Sequence, residues 1–135
     1  MVVAILNNYR QSPRKVRVVA DTVRGKGVEE AIATLTFMAK RSSLPIKKLV
    51  ESAIANAEKN YQLDRKNLYV KEIMVNAGVV MKRSMPAARG SAHPIKKRTS
   101  TVKVVLAERA AKLEKPKAIK APAKKAAKAS TPSSE

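Results

Sequence analysis

At 135 residues, with 29 Lys and Arg against 10 Asp and Glu, the chain carries a formal charge of +19 and is sized for a single domain. No cysteine and one histidine exclude a disulfide framework, a thiolate zinc site, a cysteine nucleophile and a histidine metal cage, so no cofactor is expected. Hydrophobic residues make up 44% but aromatics only 3%, which leaves Val, Ile, Leu and Ala to fill the core.

The opening Val2-Val3-Ala4-Ile5-Leu6 is too short for a helix and partly β-branched, and it predicts a buried strand that gives way at Asn7-Asn8. Ser12-Pro13 then reads as an N-cap followed by proline at the first helical position, where a missing N–H does no harm. Val16, Val19, Ala20 and Val23 give that helix one apolar face, and Gly25-Lys26-Gly27 stops it. Val28, Ala31, Ile32 and Leu35 repeat the spacing in a second short helix. Its Glu29 and Glu30 sit in the first turn, where the helix dipole favours anions, rather than forming an acid–base pair. Ile46, Leu49, Val50, Ala53, Ile54 and Ala57 predict a third helix, the clearest of the three, preceded by Ser42, Ser43 and Pro45. Ser52 and Asn56 on it suit either a partner contact or an ordinary polar rim.

A turn is expected around Asn60 and Asp64, then a strand over residues 67–75 and a bulge or bend at Ala77-Gly78. Residues 79–101 hold six cations, Lys82, Arg83, Arg89, Lys96, Lys97 and Arg98, with no acid among them. Pro86, Gly90 and Pro94 forbid a continuous helix there, and Val102, Val104 and Leu106 alternate as a strand. The simplest arrangement is a long antiparallel hairpin over about residues 79–101. Its tip, Ala87, Ala88, Gly90, Ser91 and Ala92, lacks the apolar mass to bury itself and so calls for a partner. Residues 113–135 collapse to Lys, Ala, Pro and Ser and read as a disordered tail beyond a domain spanning 1–112.

The tail holds six Lys and two Glu, which leaves 23 basic and 8 acidic residues on 1–112, a net +15. A body this basic repels itself when compact and attracts polyanions, so nucleic acid is the expected partner. A membrane surface is not, because the chain has no Trp and only Phe37 as a phenylalanine. No apolar run reaches the roughly 18 residues of a membrane span, and residues 1–9 do not read as a signal peptide, so a cytoplasmic protein is expected. Catalysis has no visible support. Arg24-Gly25-Lys26-Gly27 lacks nucleotide-loop spacing, and His93 in the tip suits base stacking or a phosphate bond without a nucleophile beside it. An RNA-acting enzyme would need a cluster such as His93, Asp21 or Glu72, and a free-standing nucleic-acid-binding module, such as an architectural DNA binder, is the other alternative.

Four ordered motifs, spanning residues 4–107, carry a resemblance. Ser12-Pro13-Arg14-Lys15-Val16-Arg17 with Val19-Ala20-Asp21 and Arg24-Gly25-Lys26 is the first, and Ser52-Ala53-Ile54-Ala55-Asn56-Ala57-Glu58 the second. Leu68-Tyr69-Val70-Lys71-Glu72 and the pair Lys82-Arg83 with Lys97-Arg98-Thr99-Ser100 complete the set. Together they resemble the bacterial large-subunit ribosomal protein twenty-two family. The resemblance implies an α+β fold, with three helices packed on a small three-stranded antiparallel sheet and a long protruding β-hairpin. It also implies a non-enzymatic structural constituent of the large ribosomal subunit. The partners would be large-subunit ribosomal RNA, neighbouring ribosomal proteins and, at the hairpin tip lining the exit tunnel, the nascent peptide.

The RNA contacts implied are Arg10, Ser12, Arg14, Lys15, Arg17 and Arg24 around the first helix. Lys82, Arg83, Arg89, Lys96, Lys97 and Arg98 follow on the hairpin, with Thr99 and Ser100 bonding sugar or phosphate oxygens. The tip departs from the family pattern: Ala87, Ser91 and Pro94 stand where relatives tend to carry arginine, which leaves Arg89 as the main tip cation and implies fewer charge contacts with the tunnel wall.

Overall fold

The computed structural model describes residues 1–109; the expected tail at 113–135 and the last residues of the expected domain lie outside them. The chain runs β1 (Val2–Tyr9), α1 (Pro13–Val23), α2 (Val28–Phe37), α3 (Ser43–Tyr61), β2 (Leu68–Pro86) and β3 (Ala92–Glu108), with short 3-10 turns before β2 and at the hairpin tip. The strands form one antiparallel sheet in the order β1-β3-β2, so the last strand is the central one. This is the α+β architecture the sequence implies.

Each helix buries the face its spacing marks. Val16, Val19, Ala20 and Val23 of α1 are buried, as are Val28, Ala31 and Leu35 of α2, while Ile32 is only partly covered. The six α3 positions that the spacing marks, Ile46, Leu49, Val50, Ala53, Ile54 and Ala57, are all buried. They meet one face of the sheet, where the pleat aligns Val2, Leu106 and Val70, then Ala4, Val104 and Ile73, then Leu6, Val102 and Val75. Burying one such aliphatic side chain contributes about 1.5–3 kcal/mol, so this layer supplies the main folding force.

Local details differ from the sequence reading. Ser12 has the extended backbone of an N-cap and Pro13 opens the helix, but the Ser12 hydroxyl makes no capping bond; its carbonyl instead accepts from the Lys15 and Val16 N–H groups at 3.0 and 3.3 Å. β1 does not end at Asn7 but continues to Tyr9 through an irregularity in which Asn8 adopts φ 54°. Asparagine tolerates this left-handed conformation, so the strand bends instead of stopping. α3 includes Pro45 in its first turn and closes at Gln62, φ 52°, whose N–H donates to the Ala57 carbonyl.

The hairpin is the upper half of β2 and β3, paired without a separate loop domain from Val80↔Arg98 to Pro86↔Ala92. The tip buries little, as its lack of apolar mass implies. Its side chains are mostly exposed, but backbone bonds carry the ladder, and the turn closes with the Ala87 N–H donating to the Ser91 carbonyl at 2.9 Å. Truncating Leu106, fully buried in the central strand, to alanine is expected to lower unfolding free energy by about 2–5 kcal/mol in a urea titration. Val18→Ala on the exposed face of α1 is expected to stay within about 0.5 kcal/mol.

Candidate nucleic-acid interface

The cations expected to act together sit on two elements far apart in sequence. Arg10, Arg14, Lys15 and Arg17 surround the start of α1, and Lys97 and Arg98 lie where β3 leaves the core. The fold brings these sets together. An open groove of about 740 Å³ is lined by Arg10, Gln11, Ser12, Lys15, Arg41, Met81, Lys97 and Arg98. A second, of about 490 Å³, continues along Ser12, Pro13, Arg14, Lys15, Arg17 and Arg98.

Arg41 was missed by the sequence reading. It follows α2, and only the adjacent Lys40-Arg41 pair marks it as basic. Tyr9 helps place this corner: its hydroxyl donates to Gln11 Oε1 at 2.7 Å and lies 3.4 Å from the Arg41 carbonyl. Burial pushes the Tyr9 phenol above its ordinary range, and the Arg41 charge partly opposes that rise.

Further up the hairpin, the pleat distributes charge to both sides. Lys82 stands directly across from Lys96 and Val80 across from Arg98, on one face; Met81 with Lys97 and Arg83 with Ile95 alternate onto the other. Two like charges facing each other across a ladder are destabilising unless an anion lies nearby. Among the described residues the ion pairs are Arg24–Asp21 at 2.9 Å and Lys47–Glu51 at 4.0 Å, both outside the hairpin. Arg89 occupies the tip at φ 58°, exposed to solvent.

Four expected contact residues serve the fold directly. Arg17 donates from Nε and Nη2 to the Val75 carbonyl at 3.2 and 3.0 Å, and Arg24 donates from Nη2 to the Ile73 carbonyl at 3.1 Å. Both carbonyls belong to β2, an outer strand, and the connector after α1 covers the same strand lower down through paired backbone bonds of Gly25 and Lys26 with Val70. A strand edge clothed this way is protected from pairing with another chain. Thr99 and Ser100, expected to meet sugar or phosphate oxygens, instead point inward at 5% and 0% exposure. Thr99 Oγ1 donates to the Val79 carbonyl at 2.7 Å, and the Ser100 hydroxyl is buried with no hydrogen-bond partner among the described residues. Strand alternation alone does not reveal this, because bulges shift which side chains face inward.

No cluster of three or more His, Asp or Glu able to hold a metal occurs among the described residues, and no described helix is long and apolar enough to cross a membrane. A family model described as Ribosomal protein L22p/L17e matches residues 4–107. The large ribosomal subunit protein uL22 of Acholeplasma laidlawii (strain PG-8A) is 51% identical over 106 residues, covering 78% of this chain and 96% of the relative. The proteins of the same description from Lactobacillus delbrueckii subsp. bulgaricus and Herpetosiphon aurantiacus are 54% and 50% identical. They cover 73% and 76% of this chain, and 85% and 91% of their own lengths.

The two roles of the α1 cations separate experimentally. Arg17→Ala is expected to destabilise the free protein by about 1 kcal/mol, through loss of its bonds to the β2 edge, whereas Arg14→Ala stays within about 0.5 kcal/mol. Urea titration of each single variant reads the difference.

Proposed function

Because this chain belongs to the ribosomal protein L22p/L17e family, we propose that it binds large-subunit ribosomal RNA through one continuous cationic surface and sends its hairpin toward the wall of the nascent-peptide exit tunnel. The chain is a structural constituent of the large ribosomal subunit, acting in translation, and is not an enzyme.

The observation that carries the RNA reading is the groove in which Arg10, Lys15 and Arg41 of the body meet Lys97 and Arg98 of the hairpin. Cations gathered there without acids repel one another, and phosphates relieve that repulsion while releasing their own counterions. Arginine offers phosphate a planar fork and lysine a point charge, so the mixed set suits an irregular RNA backbone. Lys82, Arg83 and Lys96 extend the surface up the hairpin. Cations on both of its faces fit an element lying between RNA segments, more than one resting on a single groove.

Ser12, half-buried in the groove, offers a hydroxyl to a phosphate, and Arg24 keeps its exposed portion available after anchoring β2. Arg89, with the small residues around it, would face the tunnel and the nascent peptide, and the sheet's outer surface would meet neighbouring ribosomal proteins. Residues 1–112 act as the docking domain in this reading, with 113–135 as an accessory basic extension.

Replacing Arg10, Lys15, Lys97 and Arg98 together by glutamine is expected to flatten the slope of log affinity against log salt by roughly 3 for deproteinised large-subunit RNA. The same variant is expected to leave large subunits during gradient sedimentation in high salt, where the parent chain stays bound. An unchanged slope, or parent affinity for duplex DNA equal to that for the RNA, would overturn the reading.

A further inference from the structure

Where the body meets the hairpin, three strands become two. Ser100 of β3 is level with Tyr9, the last residue of β1, and with Ala77 of β2. Both neighbours lose register at this level, β1 between Leu6 and Tyr9 and β2 between Ala77 and Val80. Beyond it β2 and β3 continue as a ribbon with almost entirely exposed side chains. A two-stranded ribbon twists more freely than a sheet and has no core to fix its direction, so the joint must set it.

The joint has the parts to do so. The bulge leaves Gly78 and Val79 without register partners, and the Val79 carbonyl is taken by the buried Thr99 hydroxyl at 2.7 Å. That hydroxyl occupies the space a side chain at residue 78 would need: a Cβ on Gly78 would lie 2.5 Å from Thr99 Oγ1. Just below the bulge, Arg17 holds the Val75 carbonyl from α1. β2 is therefore gripped just below its irregularity, by the body at Val75, and within it, by β3 at Val79.

We propose that Gly78, Val79 and Thr99 form a locked elbow, with Thr99 the positioning residue that sets the angle between hairpin and body. The hydroxyl and the missing side chain are complementary: one satisfies the carbonyl that the bulge frees, and the other makes room for it. The elbow serves the RNA reading by aiming the hairpin cations relative to those of α1, but its rigidity is a property of the free chain and stands or falls separately.

The chain lacks cysteine, so Glu58→Cys on exposed α3 and Ala88→Cys at the tip accept spin labels at those two sites alone. Pulsed dipolar spectroscopy on the full chain is expected to give one narrow distance distribution, retained by Thr99→Ser and broadened at least twofold by Thr99→Val, which keeps the shape but removes the donor. Gly78→Ala, whose methyl intrudes on Oγ1, is expected to shift the mean distance, a second readout that does not depend on Thr99→Val folding well. A Thr99→Val distribution matching the parent's, whether both are narrow or both broad, would overturn the elbow, as would an unshifted mean in Gly78→Ala. Titrating the doubly labelled chain with deproteinised large-subunit RNA keeps the two ideas apart. Failure to bind would overturn the RNA reading while the distances still decide the elbow.

Discussion

Backbone pairing between β2 and β3 is the interaction on which the rest of the molecule depends, because it continues for some twenty ångströms after the hydrophobic core has ended. Below Ser100 the ladder is backed on one face by aliphatic side chains from three helices. Above Thr99 each bond contributes only about 0.5–1.5 kcal/mol net, with no buried side chains to assist it. The protein thus combines an anchored half and an exposed half in the same two strands. Placing β3 in the centre makes this possible, since a strand paired on both sides within the body also projects beyond it.

The distribution of charge follows from the same division. The helical layer covers one side of the sheet, and cations gather where that layer stops, at the start of α1 and along the emerging ribbon. Few of them are neutralised within the described residues, so compactness of the free protein is opposed by its own charge. Arg17 of α1 and Arg24 just after it show that basic residues here also hold the fold together. Their guanidinium groups hold carbonyls of the β2 edge, a task lysine performs poorly because it lacks the fork geometry.

Much of this was legible in advance where the determining interactions are local. The apolar faces of α1 and α3 were readable to the residue, because a 3.6-residue period has one geometric meaning once it is long enough. Gly78 signalled an irregular strand for a comparable reason: a glycine inside a β pattern usually marks a bulge or a close approach, and here it marks both. The four family motifs fixed membership across residues 4–107. Asn8 misled because a residue that often ends strands here bends one, and the ladder on its far side sets the outcome.

The candidate interface was legible as a list of cations but not as a surface. Arg41 joins it, and Thr99 and Ser100 turn away from it, through pairings that span tens of residues. Composition, helix faces, the basic hairpin and family identity all follow from residue types and short spacings, which the chain carries whether folded or not. Which cations share a groove, which arginines grip an edge, and which hydroxyls turn inward depend on strand register. Register is set by the whole sheet closing on its core, since a shift of one residue reverses every side chain in a strand.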